Sequence, residues 1–306
     1  MSFLDKIRAR EPGACLYGLA PPKRSTERGR LEEIAKRQVE RLRGLEVDGL
    51  VVYDIQDEST RISEPRPFPF LPTLDPEAYV CDHLAGFQGP KIVYRCVGSD
   101  SPEQFLDWIG GLNARREERA TVLVGTPASG AEAQLPLAQA YELAQEHAPE
   151  LAVGGIAIAE RHVRRLDEHE RLLSKMDSGC RFFVTQAVYD ITATKSLLSD
   201  YRIALEAAGR EPVPLCLTFA PCASERTLAF MKWLGISFPR WLENELLHAK
   251  DALTTSLGLC EVIFEEAYDY ATSKGIPLGV NVESVSIRKA EIEASVELLK
   301  KLRAKM

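Results

Sequence analysis

Eight short apolar runs, each followed by a helical stretch, limit what this chain can fold into more than any other feature. The runs fall at 14–19, 49–54, 91–96, 121–125, 152–158, 181–185, 213–219 and 277–282. After the first run, Leu31, Ile34, Ala35, Val39 and Leu42 recur at helical spacing. Asp75-Pro76-Glu77 and Ser101-Pro102-Glu103-Gln104 carry the N-cap residue and early proline of a helix start. Further helices are expected around Leu137, Tyr141 and Ala144, over 166–178 and 192–208, and as one long helical region reaching about 273. Ile292, Val296, Leu299 and Leu302 mark the last. Strands that are apolar on both faces and alternate with helices imply a parallel sheet. Eight such units in 306 residues predict a single-domain (β/α)8 TIM barrel over 1–306. An open doubly wound sheet is the alternative. It would carry a G-x-G-x-x-G loop, and none occurs.

Charge and cysteine usage exclude several classes. A formal net charge of -7 argues against a phosphate-gripping nucleic-acid binder. No run reaches the length of a membrane span, and MSFLDKIRARE lacks the apolar stretch of a signal peptide. The seven cysteines contain no Cys-x-x-Cys and the five histidines no His-Glu-x-x-His, so neither disulfides nor a metal site is expected. A cytoplasmic location follows as an expectation.

In a (β/α)8 barrel the site lies at the C-terminal ends of the strands. The polar residues ending each run are therefore the candidates. They include Asp54, Asp57 and Glu58; Arg95; Thr126; Glu160 and His162; Gln186; and Glu283. GGIAIAERH sets Glu160, Arg161 and His162 after the fifth run. Lys175 precedes Gly179 by four residues, and FFVTQAVYD puts Thr185-Gln186 at the end of the sixth. A long amide there is costly unless something bonds it.

Glu160-Arg161-His162, Lys175 with Gly179, and Thr185-Gln186 through Asp190 together resemble the methylenetetrahydrofolate reductase family. Pro21-Pro22 and Pro239-Arg240-Trp241 extend the resemblance over nearly the whole chain. It implies a (β/α)8 barrel that passes hydride from NADH or NADPH, by way of FAD or directly, to methylenetetrahydrofolate, a step that feeds methionine biosynthesis. Gln186 would match the amide-like edge of the pterin. Thr126, Tyr189, Phe219 and Glu283 are further candidate substrate contacts, Tyr189 and Phe219 by ring stacking or simply as core. Glu160, His162 and Lys175 would serve the cofactor, and the rim cation Arg95 is placed with them. The implied partners are a folate substrate and either a second copy of the chain or a protein of one-carbon metabolism.

Three family positions are changed. The strand-one glutamate, an acid that protonates the folate, is Gly18; the acid after the strand-four glycine is Thr126; and the arginine before that glycine is Val124. If the acid has moved, YDIQDE offers Asp54, Asp57 or Glu58 on the neighbouring strand, with a carboxyl pKa raised by burial. If it has not, two readings stand beside the reductase. One is a folate-binding accessory protein without reductase activity, the other a methyltetrahydrofolate-dependent barrel methyltransferase that serves a corrinoid protein.

Overall fold

The computed structural model describes residues 1–59, 62–126 and 133–306. Among these, eight strands close into one parallel barrel in sequence order. They are β1 (Cys15–Leu19), β2 (Gly49–Val52), β3 (Lys91–Cys96), β4 (Arg119–Val124), β5 (Ala152–Ala157), β6 (Phe182–Ala187), β7 (Leu215–Phe219) and β8 (Leu278–Glu283). The first helices are α1 (Phe3–Ala9), α2 (Arg28–Leu42), α3 (Pro76–His83), α4 (Pro102–Asn113) and α5 (Leu137–His147). Then come α6 (Ala159–Arg165), α7 (Glu168–Asp177), α8 (Ile191–Ala207), α9 (Glu225–Trp233), α10 (Arg240–Leu247), α11 (Ala252–Ser273) and α12 (Lys289–Arg303). The barrel expectation holds.

The two-residue period of a strand sorts side chains into two cores. Leu16, Val51, Ile92, Val122, Val184 and Cys216 point inward and fill the barrel. Tyr17, Leu50, Val52, Val93, Leu123, Phe183 and Leu217 point outward and pack under the helices. Helix α1 closes the lower end. Ser2 and Asp5 form a capping box at its start, and Phe3, Leu4 and Ile7 join the inner core. The Phe3 ring meets Phe182 edge-on at 5.1 Å.

Two expectations need correction. The long helical region after β7 is three helices, because Gly235 has φ +93°, Pro239 opens α10, and Asp251 caps α11 through the backbone N–H groups of Leu253 and Thr254. Strand β6 runs past Thr185 to Ala187, and its register against β7 shifts between Val184 and Ala187. Thr185 Oγ accepts the Thr218 backbone N–H at 2.9 Å within this bulge. A bulge re-aims side chains, and this one sets Gln186 at the upper rim.

Candidate active site

At the top of the barrel the inward positions turn polar. On β8 they are Asn281 and Glu283, on β7 Thr218, and just past β2 Tyr53. Asn281 is fully buried; its Nδ2 donates to Tyr53 Oη at 2.8 Å and to Thr218 Oγ1 at 3.1 Å. Its Oδ1 finds no partner among the described residues and remains a spare acceptor. The Tyr53 hydroxyl is hydrogen-bonded to the Glu283 carboxyl, and its ring meets Tyr94 edge-on at 4.9 Å. Burial lifts the Glu283 carboxyl from 4.5 to about 7, against the lowering effect of the Tyr53 hydrogen bond. Burial also raises the Tyr53 and Tyr94 hydroxyls.

A raised carboxyl has a consequence for stability. Between pH 4.5 and about 7 the folded protein holds a proton on Glu283 that the unfolded chain has released. Glu283 therefore favours folding at low pH, and that contribution is lost as pH rises through about 7. Glu283→Gln is expected to match wild type in melting temperature near pH 4.5 and to exceed it above about pH 7. Parallel melting curves for the two proteins across the range would show that Glu283 does not titrate this way.

Gln186 is bonded, as its position requires. Its Nε2 donates to the Leu234 carbonyl at 2.7 Å. The same segment, 234–239, is tied down twice more. Glu160 Oε1 accepts the Ser237 backbone N–H at 3.2 Å, and Tyr189 packs on Phe238 with ring centroids 4.3 Å apart. Two of the motifs quoted above thus hold the α9–α10 connection against the rim. Burial raises the Glu160 carboxyl, with Asp190 adding to the effect. On the opposite side the chain after β2 reaches α9, three strands round the barrel. Trp233 Nε1 donates to the Glu64 carbonyl at 3.0 Å, and Arg226 Nη2 to the Pro67 carbonyl at 2.8 Å.

Several expected residues lie elsewhere. Tyr189 and Phe219 are fully buried: Tyr189 donates to the Ala220 carbonyl, and Phe219 faces outward onto Phe264. Neither presents a ring to the mouth, which corrects the stacking expectation in favour of the core. Arg95 faces the helices, where it pairs with Asp100 at 2.7 Å and lies over Trp108. Lys175 donates to the Ile156 carbonyl at 2.6 Å, and burial lowers its pKa. His162 is fully buried between helices, its Nε2 3.0 Å from Asp200. His162, His169 and Asp200 could together hold a metal ion, their ligand atoms lying within 4.8 Å of one another.

The three candidate acids divide similarly. Asp54 uses both oxygens, accepting the Cys96 backbone N–H at 2.8 Å and the Gln56 amide at 2.6 Å. It braces β2 against β3, and burial raises its pKa. Asp57 is exposed and bonded to Ser59, which lowers its pKa. Glu58 is half-buried in the same loop. Thr126 packs against Gly98 at the end of β4. The inward carboxyl is Glu283, read from the sequence only as a substrate contact. Its partner Tyr53 is not among the sequence candidates, although counting inward from Val51 by twos reaches it.

Among solved structures the chain is similar to an uncharacterized protein from Clostridium thermocellum that binds two copies of 5-methyl-5,6,7,8-tetrahydrofolic acid. The two are 42% identical over 99% of each chain, with a TM-score of 0.87. A GH113 β-1,4-mannanase (10% identity, 96% and 99% coverage, TM-score 0.53) shares the fold alone. So does a GH10 endoxylanase from a sugarcane soil metagenome (10%, 98% and 99%, 0.52). No protein-family model matches the chain, and no curated protein does. Among the described residues, no helix is long and apolar enough to cross a membrane.

Proposed function

This chain belongs to the same family as the Clostridium thermocellum barrel, and on that premise we propose that it binds a reduced folate at the C-terminal mouth. The observation that carries the proposal is the methyltetrahydrofolate held by that 42%-identical barrel. The mouth suits such a ligand. A pterin edge presents amide-like donors and acceptors, and the rim and floor offer matching groups in Gln186, Asn281 and Glu283.

The reaction we propose is reduction of methylenetetrahydrofolate to methyltetrahydrofolate with NADH or NADPH. It rests on the motif resemblance and on an acid at the mouth. The residues expected to hold FAD do not fit it. Lys175, His162 and Arg95 are committed to a carbonyl or a carboxylate in the helix layer, so no basic group of that set faces a flavin phosphate. No step is therefore routed through flavin, and the hydride would pass directly from the nicotinamide.

One observation favours a second reading, folate binding without reduction or methyl transfer from methyltetrahydrofolate. Gly18 stands where the resembled family has its acid. The readings separate in two assays on the purified protein. Calorimetric titration with 5-methyltetrahydrofolate is expected to show saturable binding, and its absence would refute the folate proposal. Methylenetetrahydrofolate with NADH or NADPH is expected to deplete the nicotinamide absorbance. Folate binding without that depletion would establish the second reading.

A further inference from the structure

We propose that Glu283 is the group that donates a proton to the bound folate, and that Tyr53 positions it. This rests on the folate reading above.

Gly18 of β1 is the register partner of Glu283 of β8. A Cβ on Gly18 would stand 2.7 Å from the Tyr53 hydroxyl and 3.0 Å from its ring carbon Cζ. Tyr53 follows β2, on the other side of β1. Its ring thus crosses β1 through the gap at Gly18 and meets the carboxyl on β8. Asn281 Nδ2 donates to Tyr53 Oη at 2.8 Å. The Tyr53 oxygen is occupied as an acceptor by that bond, so its own proton is directed to Glu283.

The electrical surroundings keep the carboxyl neutral. The ionisable groups that couple to it are Tyr53 after β2, Tyr94 on β3 and Tyr17 on β1, with Cys216 of β7 beside Tyr94. Among the described residues no lysine, arginine or histidine is a cause of its shift. A carboxyl in such a place remains a hydrogen-bond donor near neutral pH, which is what an acid catalyst requires. Two of the strand-two carboxyls, Asp54 and Asp57, lack this combination. Asp54 is saturated by Cys96 and Gln56, and Asp57 is exposed.

The Glu283 O–H gives its proton to N10 of methylenetetrahydrofolate as the bond from N10 to the methylene carbon breaks. The N5 iminium that remains takes hydride from NADH or NADPH, and the carboxylate regains a proton from water.

The test is the affinity of the whole protein for 5-methyltetrahydrofolate, measured across pH in wild type, Glu283→Gln and Tyr53→Phe. Wild-type affinity is expected to fall several-fold as the carboxyl ionises, while Glu283→Gln stays flat. Tyr53→Phe should move the midpoint to higher pH, because the lost hydrogen bond is the influence that lowers the Glu283 pKa. A merely structural tyrosine would weaken binding without moving it. In turnover of methylenetetrahydrofolate, Glu283→Gln is expected to lose about 100-fold or more in kcat with KM little changed. A pH profile shared by wild type and Glu283→Gln overturns this role alone. Failure of wild type to bind folate at any pH overturns the folate reading and this role with it.

Discussion

Phe182→Ala is expected to lower the unfolding free energy by about 3–5 kcal/mol. Phe182 is fully buried at the base of β6, and its ring lies across β5. A Cβ on Gly154 would stand 2.4 Å from the Phe182 ring, so β5 gives up a side chain to admit it. The other edge of the ring meets Phe3 on α1. Truncation would empty space on both sides at once. The strands are held by their ladders and cannot collapse inward, so the cavity term adds to the lost transfer energy. Helix α1 would lose the contact that seats it in the barrel. Urea unfolding followed by circular dichroism checks this. The midpoint should drop while the slope remains that of wild type. A loss under about 1 kcal/mol would mean that the floor can repack around the gap.

Gln186→Leu is expected to weaken 5-methyltetrahydrofolate binding by roughly 10- to 100-fold, the range for leaving one buried hydrogen-bonding group of the ligand unpaired. Leucine is close to glutamine in volume and leaves the β6 bulge undisturbed. It removes the donor to the Leu234 carbonyl and the Oε1 acceptor together. Calorimetry of the variant reads the first effect, and its melting temperature reads the smaller structural effect. If the variant binds folate like wild type and only melts earlier, then Gln186 serves the 234–239 segment and not the ligand.

The barrel was legible because burial on both faces writes each strand as an unbroken apolar run. Leu16 faces inward and Tyr17 outward, and both must be apolar. Helix α1 was harder to see, since FLDKIRA shows its charges to solvent and needs the barrel floor to give Phe3 and Ile7 a destination. Rim position is legible too, and strand alternation adds side-chain direction. Alternation from inward Tyr94 turns Arg95 toward the helices, and alternation from inward Cys216 and Thr218 does the same for Phe219. What no local pattern reveals is the partner across the fold. Lys175 reads as a cation for the cofactor until α7 packs it on the Ile156 carbonyl. Glu283 and Tyr53 are 230 residues apart and meet only because the barrel closes β8 onto β1.

The gap at Gly18 makes residues 18 and 53 a coupled pair. Any side chain at 18 claims volume that the Tyr53 ring occupies, so position 18 can change only once that ring has moved or been shortened. Installing a glutamate on β1 without first shortening Tyr53 would evict the tyrosine and strip Glu283 of its partner. A side chain on β1 and the Tyr53–Glu283 contact thus compete for one space. Position 53 must therefore shorten before position 18 can lengthen, which fixes the order of any such change.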